Sequence, residues 1–589
     1  MFERSPGKGR PRRRVALLMD AIEDDYQVGI VRGAASAAQH EGLELWCLAG
    51  GVVGDQLEDP RCVRNFLFDL LRPRDFDGLL VLSGSLGNHL GVSAFDGWLK
   101  RYSAVPMVSV GVELASCQNV IADGAAGMRE VLSHLIEQHN HRRIAFIRGP
   151  TTSFEAEERF AVYRDVLARF SIAEDPRLIL QGDWMRESGS VAIRELFDGR
   201  GMAVEAVSAI ACANDYMALG AMDALRERGI SIPSRVAVTG FDDGEVGKSA
   251  IPPLTSVQQP TEVMGREGML RLLAAMDGLG ETQVTRLPTT MVGRRSCGCS
   301  KASVLLNKRS PTGPGRSLEA AVIERRALIF AELSRSARGS FIGAGLRWEE
   351  RLLTALISDL RGQGDEVFLS ALDQLMAGLQ RAGSEMSRVQ PMLGTLRRVL
   401  QDCAPGALED VTRINDLVDA GRELVSEWLV RGETFRRVEV IEFSRALSRV
   451  SGSLLRQTGG LDQRTAFEQG LRRLGFSALS LGLFEEAGRA SEQCRCLAAF
   501  EPSGRLKMQS HFRSSDFAAS EVFEHERGPL LVQALAYEGE PIGLLTVPLG
   551  HHHASLYEQM REMFAISLRG FRLAAAAQLA VGAADTSAA

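Results

Sequence analysis

The chain has 589 residues, 45% of them hydrophobic and 24% charged. That balance belongs to a globular protein and excludes collagen-like and wholly disordered chains. The length amounts to about four domains' worth of chain, and the net charge of −6 (68 basic, 74 acidic residues) offers nucleic acid no global positive field.

Residues 1–13 carry Arg4, Lys8, Arg10, Arg12 and Arg13 and read as a solvated basic tail, with a nucleic-acid arm as the alternative. Val15 to Met19 is a short apolar run ended by Asp20, whereas a signal peptide needs roughly 7–15 apolar residues. The uncharged run from Gly78 to Phe95 is broken by Gly, Ser, Asn and His, so no membrane span is expected. The nine Cys are odd in number and dispersed, which fits reduced thiols better than a disulfide framework. A cytoplasmic location is the expectation.

Apolar runs then alternate with helical patterns. VALLM (15–19) precedes a helix near Val28–Gly42, LELWCL (43–48) one near Val63–Leu71, and GLLVL (78–82) one near Phe95–Tyr102. PMVSV (106–110), IAFI (144–147), LIL (178–180), AIACA (209–213) and VAVTG (236–240) continue the series. Uniformly apolar runs are how strands read when helices cover both faces of a parallel sheet. Eight such strands predict two α/β lobes.

Ligands in such folds bind beyond the carboxyl ends of the strands. Those ends carry Asp20 to Tyr26, Ser83-Gly-Ser85, Asn214-Asp215 and Gly240-Phe-Asp242-Asp243. Each also suits a turn or a helix cap, but their recurrence favours a site for a small polar ligand.

HLIEQHNHRRIAFIRGP (134–150), EERFAVYRDVLARF (157–170), ACANDYMALGAMDALRERGISIP (211–233), VAVTGFDD (236–243), IPPLTSVQQPTEVMGREG (251–268) and LPTTMVGRRSCGC (287–299) occur in one order. Together they resemble the LacI/GalR family over residues 14–300. The resemblance implies a periplasmic-binding-protein-like fold of two α/β lobes around a hinged cleft. It implies ligand contacts at Arg159, Asn214 and Asp242. Asp24, Tyr26, Ser83, Asp123 and Trp184 join them from strand-end position alone. Arg can donate a bidentate pair, Asn and Asp suit hydroxyls, and Tyr26 or Trp184 can stack on an apolar ligand face. The family's repressors carry a DNA-reading helix-turn-helix of some sixty residues ahead of this domain. Only about thirteen residues precede the first strand here, so repressor function is not carried over with the sensor.

Residues 301–317 read as a linker. From Leu318 the pattern is helical, with one face at Leu352, Leu353, Leu356 and Ile357 and another at Leu369, Leu372, Leu375 and Met376. Ile414, Leu417, Leu424, Trp428, Phe435 and Val438 fall near heptad spacing, interrupted by Gly421 and Arg431. A bundle core and a dimeric signalling helix both fit. Residues 441–578 run helix near 462–474, strands FSALSLGLF (476–484) and CRCLAAF (494–500), then a hairpin from LLVQALAY (530–537) and PIGLLTVPL (541–549), then a helix from Leu556. That pattern resembles a GAF domain, with no ligand residue carried over. Residues 579–589 are a tail.

The expected fold class is therefore a two-lobed α/β sensor, an all-α segment over 318–440 and an α+β GAF-like domain. No catalytic constellation emerges. Gly244 to Ser249 ends like a P-loop but has Asp242 where Gly is required. Gly362 to Phe368 only faintly echoes a diguanylate cyclase loop and reads as a helix cap. Cys297-Gly-Cys299 and Cys494-Arg-Cys496 fall in different domains without the usual two-residue gap, and His551 to His553 read as a turn, so no metal site and no cofactor are expected. The expected function is a cytoplasmic sensor of a sugar or nucleoside. It would be a homodimer, signalling by cleft closure through the helical middle to a separate kinase, response regulator or DNA-binding protein. The alternatives are a transcription regulator that binds DNA directly, and a non-enzymatic interaction scaffold.

Overall fold

In a computed structural model of the protein, the described residues are 13–299 without 24, 55–59, 89 and 280–283; 318–455 without 338–340, 342–344, 346, 361–366, 382–383, 385 and 404–407; and 471–588 without 472, 487, 501–510, 520, 524–525, 527 and 551–553. Most of the basic tail, Asp24, the 301–317 linker, Gly362 to Glu366, the predicted helix start near 462 and His551 to His553 lie outside them.

The first lobe runs β1 (Arg14–Met19), α1 (Asp25–Glu41), β2 (Glu44–Ala49), α2 (Phe66–Leu70), β3 (Gly78–Leu82), α3 (Ser83–Leu86), α4 (Val92–Leu99), β4 (Met107–Val110) and β5 (Gln118–Ala122). Its strands pair in parallel, and β3 is buried along its whole length, which is why these segments read as unbroken apolar runs. The second lobe follows as α5 (Gly124–Glu137), β6 (Ile144–Arg148), α6 (Phe154–Arg169), β7 (Ile179–Gln181), α7 (Arg186–Arg194), β8 (Ala209–Cys212), α8 (Asp215–Glu227), β9 (Ala237–Thr239) and α9 (Glu245–Lys248). Its parallel sheet has the order β7-β6-β8-β9.

The chain then returns through β10 (Ser256–Gln258), α10 (Thr261–Met276), β11 (Val284–Leu287) and β12 (Thr290–Val292). β11 joins the first lobe beside β5, and β12 pairs with β10. The backbone thus crosses between the lobes three times, after β5, β10 and β11. Asp123 N donates to Leu287 O at 2.8 Å, and Thr289 Oγ1 donates to Asp123 O at 2.8 Å, which ties two of the crossings together. Strands β5, β10, β11 and β12 were not anticipated. β5 opens on Gln118 and Asn119, and β11 is half exposed, so neither carries a continuous apolar run.

Residues 318–455 are helical: α11 (Leu318–Glu324), α12 (Arg326–Ala337), α13 (Trp348–Leu360), α14 (Val367–Arg381), α15 (Val389–Cys403) and α16 (Leu408–Leu455). Leu353, Leu356, Leu372, Met376, Leu393 and Leu396 share one core with Ile414, Val418 and Val425 of α16. The heptad-like stretch up to Trp428 is therefore the wall of a bundle. Gly421 does not interrupt α16; a Cβ there would lie 3.1 Å from Phe368, so the glycine lets α16 approach α14.

The last segment holds β13 (Leu479–Phe484), β14 (Gln493–Phe500), β15 (His511–Arg513), β16 (Leu530–Tyr537), β17 (Glu540–Pro548) and α17 (Ala554–Ala588). Its strands are antiparallel among themselves. β16 also pairs in parallel with β2, from Leu530 opposite Trp46 to Gln533 opposite Ala49. The first-lobe sheet and the C-terminal sheet are thus one eleven-stranded sheet. The expected separate terminal domain is fused to the sensor through this edge. Trp46 packs edge-on against Phe517 and Phe523, at centroid distances of 6.3 and 6.2 Å, in a core common to both segments.

A substitution in that common core should therefore weaken both segments together. Trp46→Ala is expected to cost about 3–5 kcal/mol, and hydrogen exchange should accelerate in β1–β2 and in β16 alike. Exchange confined to the C-terminal strands would contradict the shared core.

Candidate ligand site

The cleft is built from strand ends and the first turns of the helices that follow them. From the second lobe, α6 brings Arg159, which is 3% exposed. Its guanidinium lies 3.8 Å from the Phe241 ring centroid and 5.5 Å from that of Trp184. Its Nη1 donates to Ala213 O at 2.7 Å, while its buried Nε has no hydrogen-bond partner among the described residues. The indole Nε1 of Trp184 is likewise buried without one.

Carboxyl groups surround this cation. Burial pushes the Glu155 carboxyl up to about 7, with Arg159 opposing the rise and Asp242 and Glu158 adding to it. Burial also raises Asp242 to about 6, against the pull of Arg159 and of the hydrogen bond from Gln259. Glu158 is raised by burial as well. Behind them, Asp215 is held well above the usual carboxylate range by burial and by Asp242. It accepts from Ser256 Oγ at 2.6 Å and from Gly244 N at 2.8 Å.

The first lobe supplies the opposite wall. A Cβ built on Gly84 would lie 2.7 Å from the Tyr26 hydroxyl and 3.5 Å from Glu155 Oε2, so Tyr26 and Glu155 face each other across the cleft at a glycine. Two further contacts bridge the lobes: Glu245 N donates to Asp25 Oδ2 at 2.6 Å, and Thr152 Oγ1 donates to Asn88 O at 2.7 Å.

The structure gathers Tyr26, Arg159, Trp184 and Asp242 at this place. Three other candidates spend their side chains on the scaffold. Ser83 Oγ contacts Ser109 Oγ at 2.6 Å and accepts from Val112 N at 2.9 Å, holding the ends of β3 and β4 together. Asp123 caps α5 through Ala126 N beside the hinge. Asn214 caps α8 through Met217 N and donates to Trp184 O at 2.9 Å, so it positions the indole. Glu155, Glu158, Phe241 and Gln259 were not singled out from the sequence. Glu155 stands one helical turn before Arg159 and Phe241 directly before Asp242, so the spacing of the motif residues was the available signal.

Trp184 and Asp242 have positive φ, 76° and 111°. Non-glycine residues adopt that region at a cost of about 1–3 kcal/mol, and such residues cluster at ligand sites.

Among the described residues, a possible metal-ligand group lies outside the cleft and unites His134, His139, Cys297 and Cys299. The sequence weighed Cys297 and Cys299 only with Cys494 and Cys496. The latter sit on β14 of the C-terminal sheet, while the former lie against two histidines at the end of α5.

With this geometry in place, known proteins are informative. The periplasmic binding protein-like domain family matches residues 132–297. The HTH-type transcriptional regulator CelR of Thermobifida fusca is 38% identical over 251 residues, covering 42% of this chain and 69% of that protein. The chain belongs to the LacI/GalR family. The HTH-type transcriptional repressor CytR of Escherichia coli is 30% identical over 270 residues, covering 45% of this chain and 73% of that protein. A solved CelR–cellobiose complex aligns at 31% identity with a TM-score of 0.41, over 49% of this chain and 86% of that one. The matched family model ends at residue 297, ahead of the helices that begin at Leu318. No helix among the described residues is long and apolar enough to cross a membrane.

The raised Glu155 carboxyl sets a pH dependence. Its folded value of about 7 lies above the ordinary 4.5, so its contribution to stability is complete below that ordinary value and is lost as pH rises through about 7. Glu155→Gln stays neutral at every pH. Its thermal midpoint should rise relative to the parent between about pH 5 and pH 8. A constant difference across that window would show that Glu155 titrates like an exposed carboxylate.

Proposed function

We propose that this chain senses a small, neutral, hydroxyl-rich ligand, a sugar or a nucleoside, in the cleft between the two lobes. The observation that carries the reading is Arg159: a buried cation with an unused Nε, flanked by aromatic rings and by carboxyls with raised pKa. A buried donor without a partner costs about 1–3 kcal/mol, which a ligand oxygen would recover. Glu155 near neutrality can both donate and accept, which suits hydroxyl groups. Three carboxyls against one guanidinium disfavour an anionic ligand. Phe241 and Trp184 provide faces for sugar-ring or base stacking.

The output is a change in transcription, as the names of the relatives suggest, exerted through a partner or by direct DNA contact. Segment 441–578 is read as a GAF-like domain, supported by its antiparallel strands and closing helix α17. Coupling does not need the helical middle alone. Glu558 of α17 lies 2.6 Å from Arg561 and 3.6 Å from Arg64, and accepts from Ile22 N at 3.4 Å. Ile22 lies between β1 and α1, the helix that carries Asp25 and Tyr26 to the cleft. Closure that moves this segment would therefore bear on α17, provided that the ligand favours the closed state.

A thermal-shift panel of neutral saccharides, nucleosides and sugar phosphates tests the ligand. A neutral member at 100 times its Kd should stabilise by about 2.7 kcal/mol, and the phosphates should not. Arg159→Ala should weaken binding by about 10- to 100-fold. A ligand bound equally well by Arg159→Ala would overturn the assignment. For the output, Glu558→Gln should leave affinity within a few-fold and reduce the ligand-induced change in hydrogen exchange of α17. An identical exchange response would place the coupling elsewhere. Sequence-selective, salt-dependent gel shifts by the chain alone would favour direct DNA contact.

A further inference from the structure

We propose that His134, His139, Cys297 and Cys299 form a tetrahedral zinc site that fastens residues 297–299, after the last strand of the sensor, to the end of helix α5. The four donor atoms lie within 4.8 Å of one another. His134 Nε2 stands 3.1 Å from His139 Nε2, 3.2 Å from Cys299 Sγ and 3.6 Å from Cys297 Sγ. Cys299 Sγ is 3.5 Å from His139 Nε2. With Zn–N near 2.05 Å and Zn–S near 2.3 Å, the edges of a tetrahedron are about 3.3 Å for N···N, about 3.6 Å for N···S and about 3.8 Å for S···S. The four separations given match those edges to within about 0.4 Å, and the other two, from Cys297 Sγ to Cys299 Sγ and to His139 Nε2, fall within the 4.8 Å bound.

Hydrogen bonding among the four groups explains the convergence poorly. One ring nitrogen carries one proton or one lone pair, yet His134 Nε2 faces three partners at these distances. A cation at the centre would satisfy all four donor atoms at once. Two thiolates and two imidazoles are the donor set that tetrahedral zinc prefers.

The local backbone is arranged for this. Gly298 has φ +103°, and a Cβ there would lie 3.3 Å from the His139 ring. A glycine between the two cysteines lets the turn place both thiols on one side and brings His139 close. That is how a one-residue gap can serve where two residues are usual. Thr255 Oγ1 lies 3.0 Å from Cys297 Sγ, an outer-shell contact that orients the sulfur. All nine cysteines of the chain are free thiols, so neither ligand is committed to a disulfide.

The site is separate from the ligand cleft. Its position suggests a staple, since α5 begins at Asp123 beside the hinge and ends at these histidines. The test uses the full chain, purified without a metal-binding tag and without chelator. Elemental analysis should find about one zinc per chain. The cobalt-substituted protein should show the visible absorption of tetrahedral Co²⁺ and a thiolate-to-cobalt charge-transfer band. Cys299→Ser and His139→Gln should each weaken zinc by more than the 10- to 100-fold typical of outer-shell changes, read by chelator competition. Cys496→Ser, in the C-terminal sheet, should retain the metal. The parent-chain cobalt spectrum does not depend on any variant folding. A parent chain that contains no zinc and gives no tetrahedral cobalt spectrum after anaerobic reduction would overturn the proposal. So would zinc that survives in both ligand variants.

Discussion

The free edge of β2 is the constraint on which the architecture rests. An edge strand presents a row of unpaired backbone N–H and C=O groups and invites another strand. In the first lobe β2 is that edge, and its side chains are almost wholly buried. β16 occupies the edge in parallel register, and the sheet then continues in antiparallel fashion away from the sensor. Once that pairing is made, the aromatic groups on either side have to share one core. Trp46, Phe66 and Phe68 from the sensor meet Phe484, Phe517 and Phe523 from the far end of the chain. The joint also brings together groups distant in sequence: Ile22 N and the Glu558 carboxylate that accepts from it are 536 positions apart.

This joint also decides where charge can be buried. Glu558 and Arg64 are each about nine-tenths or more buried in side chain, and Arg561 lies beside them. Burial pulls Arg64 below its usual range, with Arg561 adding to the effect and Glu558 opposing it. A buried pair of this kind gives little net stability, but losing one partner leaves an uncompensated charge. Its value lies in register. It fixes α17 against the segment between β1 and α1, which is one rim of the ligand cleft. A sensor and an added module that met only through a flexible linker would have no such fixed contact.

Much of the sensor was legible in sequence because its strands are buried on both faces. An unbroken apolar run such as GLLVL identifies a strand without any alignment. The less apolar strands were not legible, since β5 and β11 enter the sheet with Gln118, Asn119, Thr285 and Arg286. The β2–β16 pairing leaves no periodic signature at all, because parallel register depends on tertiary placement. At the cleft, the motif residues Arg159 and Asp242 are among those the structure brings together. Glu155 and Glu158 were not singled out, because sequence cannot show that an acidic side chain faces a buried guanidinium. Ser83 and Asn214 are a different case. They stand at the right strand ends, but their polar atoms hold backbone in place. The sulfur–imidazole cluster escaped because cysteine spacing was compared only with other cysteines, and its histidines lie in the last turn of α5 and in the turn that follows it.

The backbone at the cleft adds a final step. Trp184 and Asp242 are both held at positive φ, at about 1–3 kcal/mol each. Asn214 holds the carbonyl of Trp184, and Gln259 holds the carboxyl of Asp242, where Asp242 also bridges Gln258. Gln258 ends β10, which pairs with β12 beside the hinge, and Gln259 follows it directly. The strained residues that face the candidate ligand are therefore braced from the crossing segments themselves. A shift in the hinge would alter the brace on Asp242, and a ligand that tightens around Asp242 would act back on the hinge. Reciprocity of this kind is what linkage requires of any site that reports occupancy through lobe closure.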